Sequence, residues 1–213
     1  MIKLYQSQPS GNCYKVRLLL HQLSIPFETV EMDIAAGQAR TPEFKAKNPI
    51  AGLPTVELEP GVFLAESNAI LWYFAEGTPF IPSDKLERAR MLQWMFFEQY
   101  SHEPYIAVAR AWVSLFGIPA GKEQELEERI HKGYAALDVM EGELKKRPFF
   151  AGDTYSLADI ALYAYTHVAD EGRFELGRYR AIRAGSSGCR PSRATCGCAI
   201  RWRERGWEKP DLV

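Results

Sequence analysis

Two hydrophobic rhythms alternate through the first 76 residues, and beyond them only one survives. IKLY (2–5) and FETVEM (27–32) read as strands, and PTVEL (54–58) and VFLA (62–65) read as two more, joined by the turn residues EPG. Helical spacing runs from Cys13 through Val16, Leu20 and Leu23, stopped near Ser24 by the following Ile25-Pro26. Thr41-Pro42 offers an N-cap and a first-turn proline for a short helix. Helical spacing resumes from Ser67 through Ile70, Leu71, Phe74 and Ala75. The order is β-α-β-α-β-β-α. A strand-free remainder follows it, so the chain divides into a mixed α/β unit and a helical one.

The division falls at GTPFIPSD, whose glycine and prolines make residues 78–84 a linker between a first domain (1–77) and a helical one (85–180). The spacing predicts a long helix from Lys85 to Leu115, kinked or interrupted at Pro104, and a charged amphipathic helix from Lys122 to Lys146. Ser156-Leu-Ala-Asp159 reads as a capping box opening another helix, with Tyr155 and Ile160 at the staple positions. His21 and His131 fall on helix surfaces, His102 and Arg110 read as solvated polar positions, and His167 reads as a core histidine. Near residue 178 the composition changes to a basic stretch rich in Gly and Arg, and 181–213 is an atypical tail. Cys189, Cys196 and Cys198 lie there without a nearby histidine, a poor zinc set, so no metal is expected.

The formal net charge of −1 gives no general attraction to nucleic acid or to anionic membrane. No apolar run approaches the roughly 18 residues of a membrane span. MIKLY is too short for a signal segment, and the four unevenly placed cysteines form no secreted disulfide framework. A reducing cytoplasm is the expected setting.

SGNCYKVRLLL (10–20) carries the chemical question. Ser10-x-x-Cys13 before a helix has the spacing of a dithiol site whose first, attacking cysteine is replaced. Cys13 lies on the apolar stripe and reads as a small buried residue, so an external thiol would have to act as nucleophile. A free thiol ionises near ~8.5. Lowering that to about 6.5 takes roughly 2.7 kcal/mol. A hydroxyl donating to a thiolate supplies about 1.5–3 kcal/mol, and a helix N-terminus adds roughly 0.3–1 kcal/mol. Ser10 is therefore either a thiolate partner or, like Asn12, a helix cap. Two further stretches bear on the choice. A cis bond at Leu53-Pro54 would leave the Leu53 amide and carbonyl free for an extended peptide-like ligand. Glu66-Ser67 opens a helix, where Ser67 could hold a carboxylate and Glu66 an ammonium, or the pair could simply form a cap. Together they describe a site for a small γ-glutamyl thiol peptide.

Over about residues 1–180 the chain resembles the glutathione transferase family, through SGNCYKVRLLL, TPEFKAKNP, LPTVEL, LAESNAILWYFAE and FFAGDTYSLADIALY in that order. The resemblance implies a thioredoxin-like N-terminal domain, an all-α C-terminal domain, a cytoplasmic homodimer, and glutathione as co-substrate. By position, Ser10 matches the hydroxyl that faces the glutathione sulfur, and Asn12 a second polar group near the thiol in disulfide-reducing members. Leu53 and Pro54 match the backbone clamp, and Glu66 and Ser67 the γ-glutamyl grip. Tyr105, Ala109 and Trp112 are expected to line an electrophile pocket. Gly52 stands where many relatives carry a lysine for the glycyl carboxylate, and Arg40, Lys45 or Lys47 are candidate substitutes. The implied activity is conjugation of glutathione to small electrophiles in detoxification. Disulfide reduction or isomerisation in the same pocket, and a non-catalytic binding module on the same fold, are the alternatives.

Overall fold

The computed structural model describes residues 1–185, so the cysteine cluster and most of the basic tail lie outside the described residues. Four strands, β1 (Ile2–Gln6), β2 (Phe27–Glu31), β3 (Thr55–Glu59) and β4 (Val62–Ala65), form one sheet in the order β2-β1-β3-β4. The short link between β3 and β4 forces an antiparallel hairpin, whereas a helix between β1 and β2 permits a parallel pair. β1 is central: Leu4 sits opposite Thr29 on one side and Val56 on the other. The helices are α1 (Gly11–Gln22), α2 (Pro42–Lys45) and α3 (Ser67–Ala75). Val16 and Leu20 of α1 and Ile70 of α3 close over Leu4 and Val56 in a small dry core. This is the thioredoxin-like half.

The helical half comprises α4 (Lys85–Phe97), α5 (Glu103–Arg110), α6 (Glu123–Leu144), α7 (Leu157–Thr166) and α8 (Arg180–Gly185). Its core is continuous with the first domain, because Leu18 and Leu19 of α1 and Leu71 and Ala75 of α3 bury among Met91, Ile106, Leu137 and Leu162. The expected break at Pro104 takes a specific form. The chain stays helical but widens into a π turn at Glu98–His102, directly before the proline, which sits in the first turn of α5. Proline has no N–H to give the preceding turn, and a wider turn accommodates that loss. A second π turn, Ala111–Leu115, ends this helical run.

The capping box forms. Asp159 Oδ2 accepts from the Ser156 amide at 2.8 Å and the Ser156 hydroxyl at 3.0 Å, and Oδ1 accepts from Phe150 N at 3.1 Å. Helical order also persists beyond residue 180. Tyr179 and Ile182 are buried, and the Glu141 carboxylate accepts from the Ala181 and Ile182 amides at the start of α8. Flanking arginines mask those two apolar anchors in the sequence.

Burial raises the Asp159 carboxyl to about 6, despite its hydrogen bonds. The folded protein therefore holds a proton there that the unfolded chain releases near its ordinary value. The resulting stabilisation is complete below about pH 4 and disappears as pH rises through about 6. His102 acts in the opposite sense. Burial depresses it to about 3, so stability present above its ordinary 6.5 is lost as the unfolded chain takes up a proton at lower pH. Thermal midpoints measured from pH 4 to 7 isolate the first effect: relative to Asp159→Asn, the unaltered protein should lose stability as pH rises from about 4 to 6. A difference constant across that range would contradict this assignment.

Candidate functional site

Three chain segments meet at one end of the sheet, where β1 ends, β3 begins and β4 ends: the β1–α1 loop, the approach to β3, and the β4–α3 junction. Ser10 is the N-cap of α1, with extended backbone, and its Oγ accepts from Cys13 N at 3.3 Å. That bond occupies a lone pair, and the hydroxyl also hydrogen-bonds the Cys13 side chain, so a thiolate outside the helix would have to draw the hydroxyl proton away from the Cys13 sulfur. Capping and thiolate stabilisation are therefore compatible at this residue. Cys13 is fully buried, its sulfur accepts from the Ser7 amide at 3.4 Å, and desolvation pushes its thiol up, so it is not a nucleophile. The loop is pinned from the helical domain, where Arg110 donates to the Pro9 carbonyl at 2.5 Å and to Glu171 at 2.6 Å.

The Leu53–Pro54 bond is cis. Pairing with β1 begins at Thr55, so Leu53 lies beyond the paired register. The Gly52 carbonyl accepts from Asn48 Nδ2 and from Thr55 Oγ1, fixing this turn through its backbone. A Cβ at Gly52 would make only an ordinary contact, 3.8 Å from Asn48 Nδ2, so the missing lysine is no steric requirement. Of its suggested substitutes, Lys47 lies over the rings of Tyr5 and Phe63, whereas Arg40 and Lys45 are exposed. Glu66 is exposed and has φ +67°, the left-handed region that a side chain normally avoids. Such a backbone costs about 1–3 kcal/mol and tends to mark functional positions. It directs the chain into α3, whose first residue, Ser67, is buried.

Beneath these residues lies a polar network. The Ser67 hydroxyl donates to Asn12 Oδ1 at 3.3 Å and accepts from Lys15 Nζ at 3.3 Å. Asn12 Nδ2 donates to Glu103 Oε1 at 3.3 Å, and the Asn12 amide donates to the Tyr165 hydroxyl at 3.2 Å. Asn12 thus turns toward α3 and α5. Burial and the neighbouring Glu98 raise the Glu103 carboxyl. Ser10, Asn12, Leu53, Pro54, Glu66 and Ser67 are brought to one region.

The expected electrophile pocket is not assembled from its three residues. Ala109 is sealed in the core. Tyr105 and Trp112 turn to α6, under Lys132 and Arg129 respectively, and Tyr105 lines a groove with residues of that helix. Two positions along the helix, roughly 200° around it, explain the difference: Glu103 and Arg110, rather than Tyr105 and Trp112, face the first domain. His102 and Arg110, expected in solvent, are both buried; His102 Nε2 bonds to Thr166 Oγ1 at 2.9 Å. His167 is half-buried between Tyr14 and Tyr163 and lines a narrow cleft with Ser10, Arg17 and Arg110.

With this geometry in hand, comparison with known proteins is decisive. Residues 1–76 match the glutathione S-transferase N-terminal domain and residues 97–184 its C-terminal domain. The chain belongs to the glutathione S-transferase family. A glutathione S-transferase structure from Pseudomonas fluorescens is 51% identical, with a TM-score of 0.86 over 88% of this chain and 93% of that one. A glutathione S-transferase of Arabidopsis thaliana is 34% identical over 69% of this chain and 71% of its own length. The disulfide-bond oxidoreductase YfcG of Escherichia coli is 28% identical over 99% and 100%.

In this glutathione S-transferase, sequence reasoning missed Lys15 and Glu98. Each sits on a helix dominated by apolar neighbours, and a lone charge in such a pattern reads as surface; their complementary signs, 83 positions apart, were the available signal. Gly11 was likewise overlooked. A Cβ there would lie 2.5 Å from the ring of buried Tyr165, so α1 and α7 approach this closely only without a side chain. Gly11→Ala should destabilise the protein by about 1–3 kcal/mol through overpacking, read from denaturant midpoints. Retained stability would show that the helices separate at little cost.

Proposed function

We propose that the protein binds glutathione as co-substrate and joins its sulfur to an electrophilic carbon of a small molecule. The observation that carries this reading is the match to both domains of the family, with the Ser10 hydroxyl at the mouth of α1, where it can turn from the Cys13 sulfur to an incoming thiolate. Leu53 supports the peptide backbone of glutathione, and Glu66 and Ser67 its γ-glutamyl end. The thiol proton leaves to solvent, a carbon–sulfur bond forms, and the leaving group departs with its electron pair. The enzyme contributes thiolate stabilisation and positioning. No helix among the described residues is long and apolar enough to cross a membrane, and dependence on reduced glutathione suits a reducing cytoplasm and a role in detoxification.

Reduction of glutathionylated disulfides is the second reading, favoured by the end-to-end similarity to the Escherichia coli oxidoreductase. There the bound thiolate attacks the glutathione sulfur of the mixed disulfide, forming oxidised glutathione and releasing the partner thiol. Rates with an aryl halide and with a mixed glutathione disulfide distinguish the two.

We also propose a homodimer. Tyr73 of α3 and Phe96 and Tyr100, at and just beyond the end of α4, are large exposed aromatics. The two helices adjoin where Asn68 donates to the Met95 carbonyl. Light scattering should give twice the chain mass, reduced to the single-chain mass by Phe96→Glu with Tyr100→Glu; a monomeric unaltered protein would rule this out.

Loss of one charge-assisted hydrogen bond in Ser10→Ala should lower turnover about 10- to 100-fold, with the glutathione KM changed far less. Ser10→Gly, which preserves more of the capping energy, should behave alike. Full turnover in both variants would remove Ser10 from the mechanism.

A further inference from the structure

Beneath the proposed glutathione site, an ammonium and a carboxylate meet in complete burial. Lys15 Nζ and Glu98 Oε2 are 2.7 Å apart, with neither side chain exposed. Lys15 belongs to α1 of the first domain, and Glu98 begins the π turn that precedes α5. The pair therefore crosses the boundary between the two domains. Taking two charges out of water is unfavourable, and an apolar pair of the same volume is often at least as stabilising. Such a pair needs a reason beyond cohesion, and its remaining contacts supply one.

Lys15 also donates to Ser67 Oγ at 3.3 Å. That bond occupies an acceptor position on the Ser67 hydroxyl, whose proton then goes to Asn12 Oδ1. Asn12 is itself oriented by Glu103. Glu98 Oε2 accepts from Gln99 Nε2 at 2.8 Å and Asn68 Nδ2 at 3.3 Å as well as from Lys15. Asn68 follows Ser67 in the first turn of α3, so the pair holds two successive residues of that turn, one through each charge. The ammonium end lies against Ser67, at the positive end of the α3 dipole.

We propose that Lys15 is a positioning residue for the γ-glutamyl carboxylate of glutathione. It fixes the Ser67 hydroxyl at the N-terminal turn of α3, and Glu98, which balances its charge, anchors it from the helical domain and holds Asn68 in the same turn. The inference rests on the glutathione-binding reading of Ser67 and extends it to a residue that need not touch the ligand. Lys15 acts on binding of a part of glutathione remote from the sulfur, so its effect falls on affinity and KM more than on the chemical step.

Lys15→Met alone leaves Glu98 buried and unpaired, and such a variant is expected to unfold readily. The informative variant is Lys15→Met with Glu98→Gln, which removes both charges and retains an amide able to bond Asn68 and Gln99. Glutathione binding is measured by isothermal titration alongside thermal unfolding and steady-state kinetics on the full chain. The double variant should keep a thermal midpoint close to the unaltered protein while its glutathione affinity falls about 10-fold, the loss expected when the Ser67 hydroxyl is no longer held in place. KM for glutathione should rise in parallel, and kcat at saturation should change far less. Lys15→Arg, which keeps the charge, should recover part of the affinity. Unchanged affinity in a stable double variant would overturn the proposal and leave the pair a purely structural device. If the unaltered protein itself fails to bind glutathione, the underlying functional reading fails instead.

Discussion

α1 is buried from two directions at once, and that constraint organises the molecule. Val16 and Leu20 face the sheet, while Leu18 and Leu19 join the core of the helical domain. Each such side chain contributes about 1.5–3 kcal/mol when fully buried, so the helix is held firmly from both sides. Its N-terminus is where Ser10 and Asn12 stand. A residue at the mouth of a doubly clamped helix inherits its rigidity, which suits a group that must hold a reactive atom within a fraction of an ångström. The absence of a side chain at Gly11 lets Tyr165 close against that same end.

Much of this was legible in the sequence because it rests on short-range rules. Strand alternation, the turn residues of the hairpin, the Ser156–Asp159 box and the cis bond at Leu53-Pro54 all express preferences of a few neighbouring residues, and the structure shows each of them. What was not legible depends on rotation and on distance. Along α5 and the turn after it, a shift of two residues separates the side facing the first domain from the side facing α6. Periodicity alone does not say which neighbour a helix face will meet, and so Tyr105 and Trp112 were assigned to the wrong one. The burial of His102, Arg110, Lys15 and Glu98 depends on partners far along the chain, which no local window contains.

The ambiguity at Ser10 dissolves on inspection of its hydrogen bonds. A hydroxyl has lone pairs and a proton, and these serve different partners. The helix amide of Cys13 uses the first. The proton faces the neutral Cys13 sulfur, a weak acceptor that an anion outside the helix could displace. Structural and chemical roles that compete when stated as residue labels coexist when stated as individual atoms. The same accounting at Ser67 gives a stronger competitor, since there the proton goes to the Asn12 carbonyl oxygen. A carboxylate arriving at α3 would meet the backbone amide first and would have to draw the hydroxyl proton away from its present acceptor.

The left-handed backbone at Glu66 links folding to affinity. An unfolded chain has no need of that conformation, so the folded state alone bears its energy, and it does so before any ligand arrives. On the glutathione-binding reading proposed above, the turn is distorted in advance, and an incoming peptide would not have to supply that energy. A glycine would relax the backbone here but would remove the carboxylate. At this one position, a more comfortable fold and a better-equipped receptor call for different amino acids.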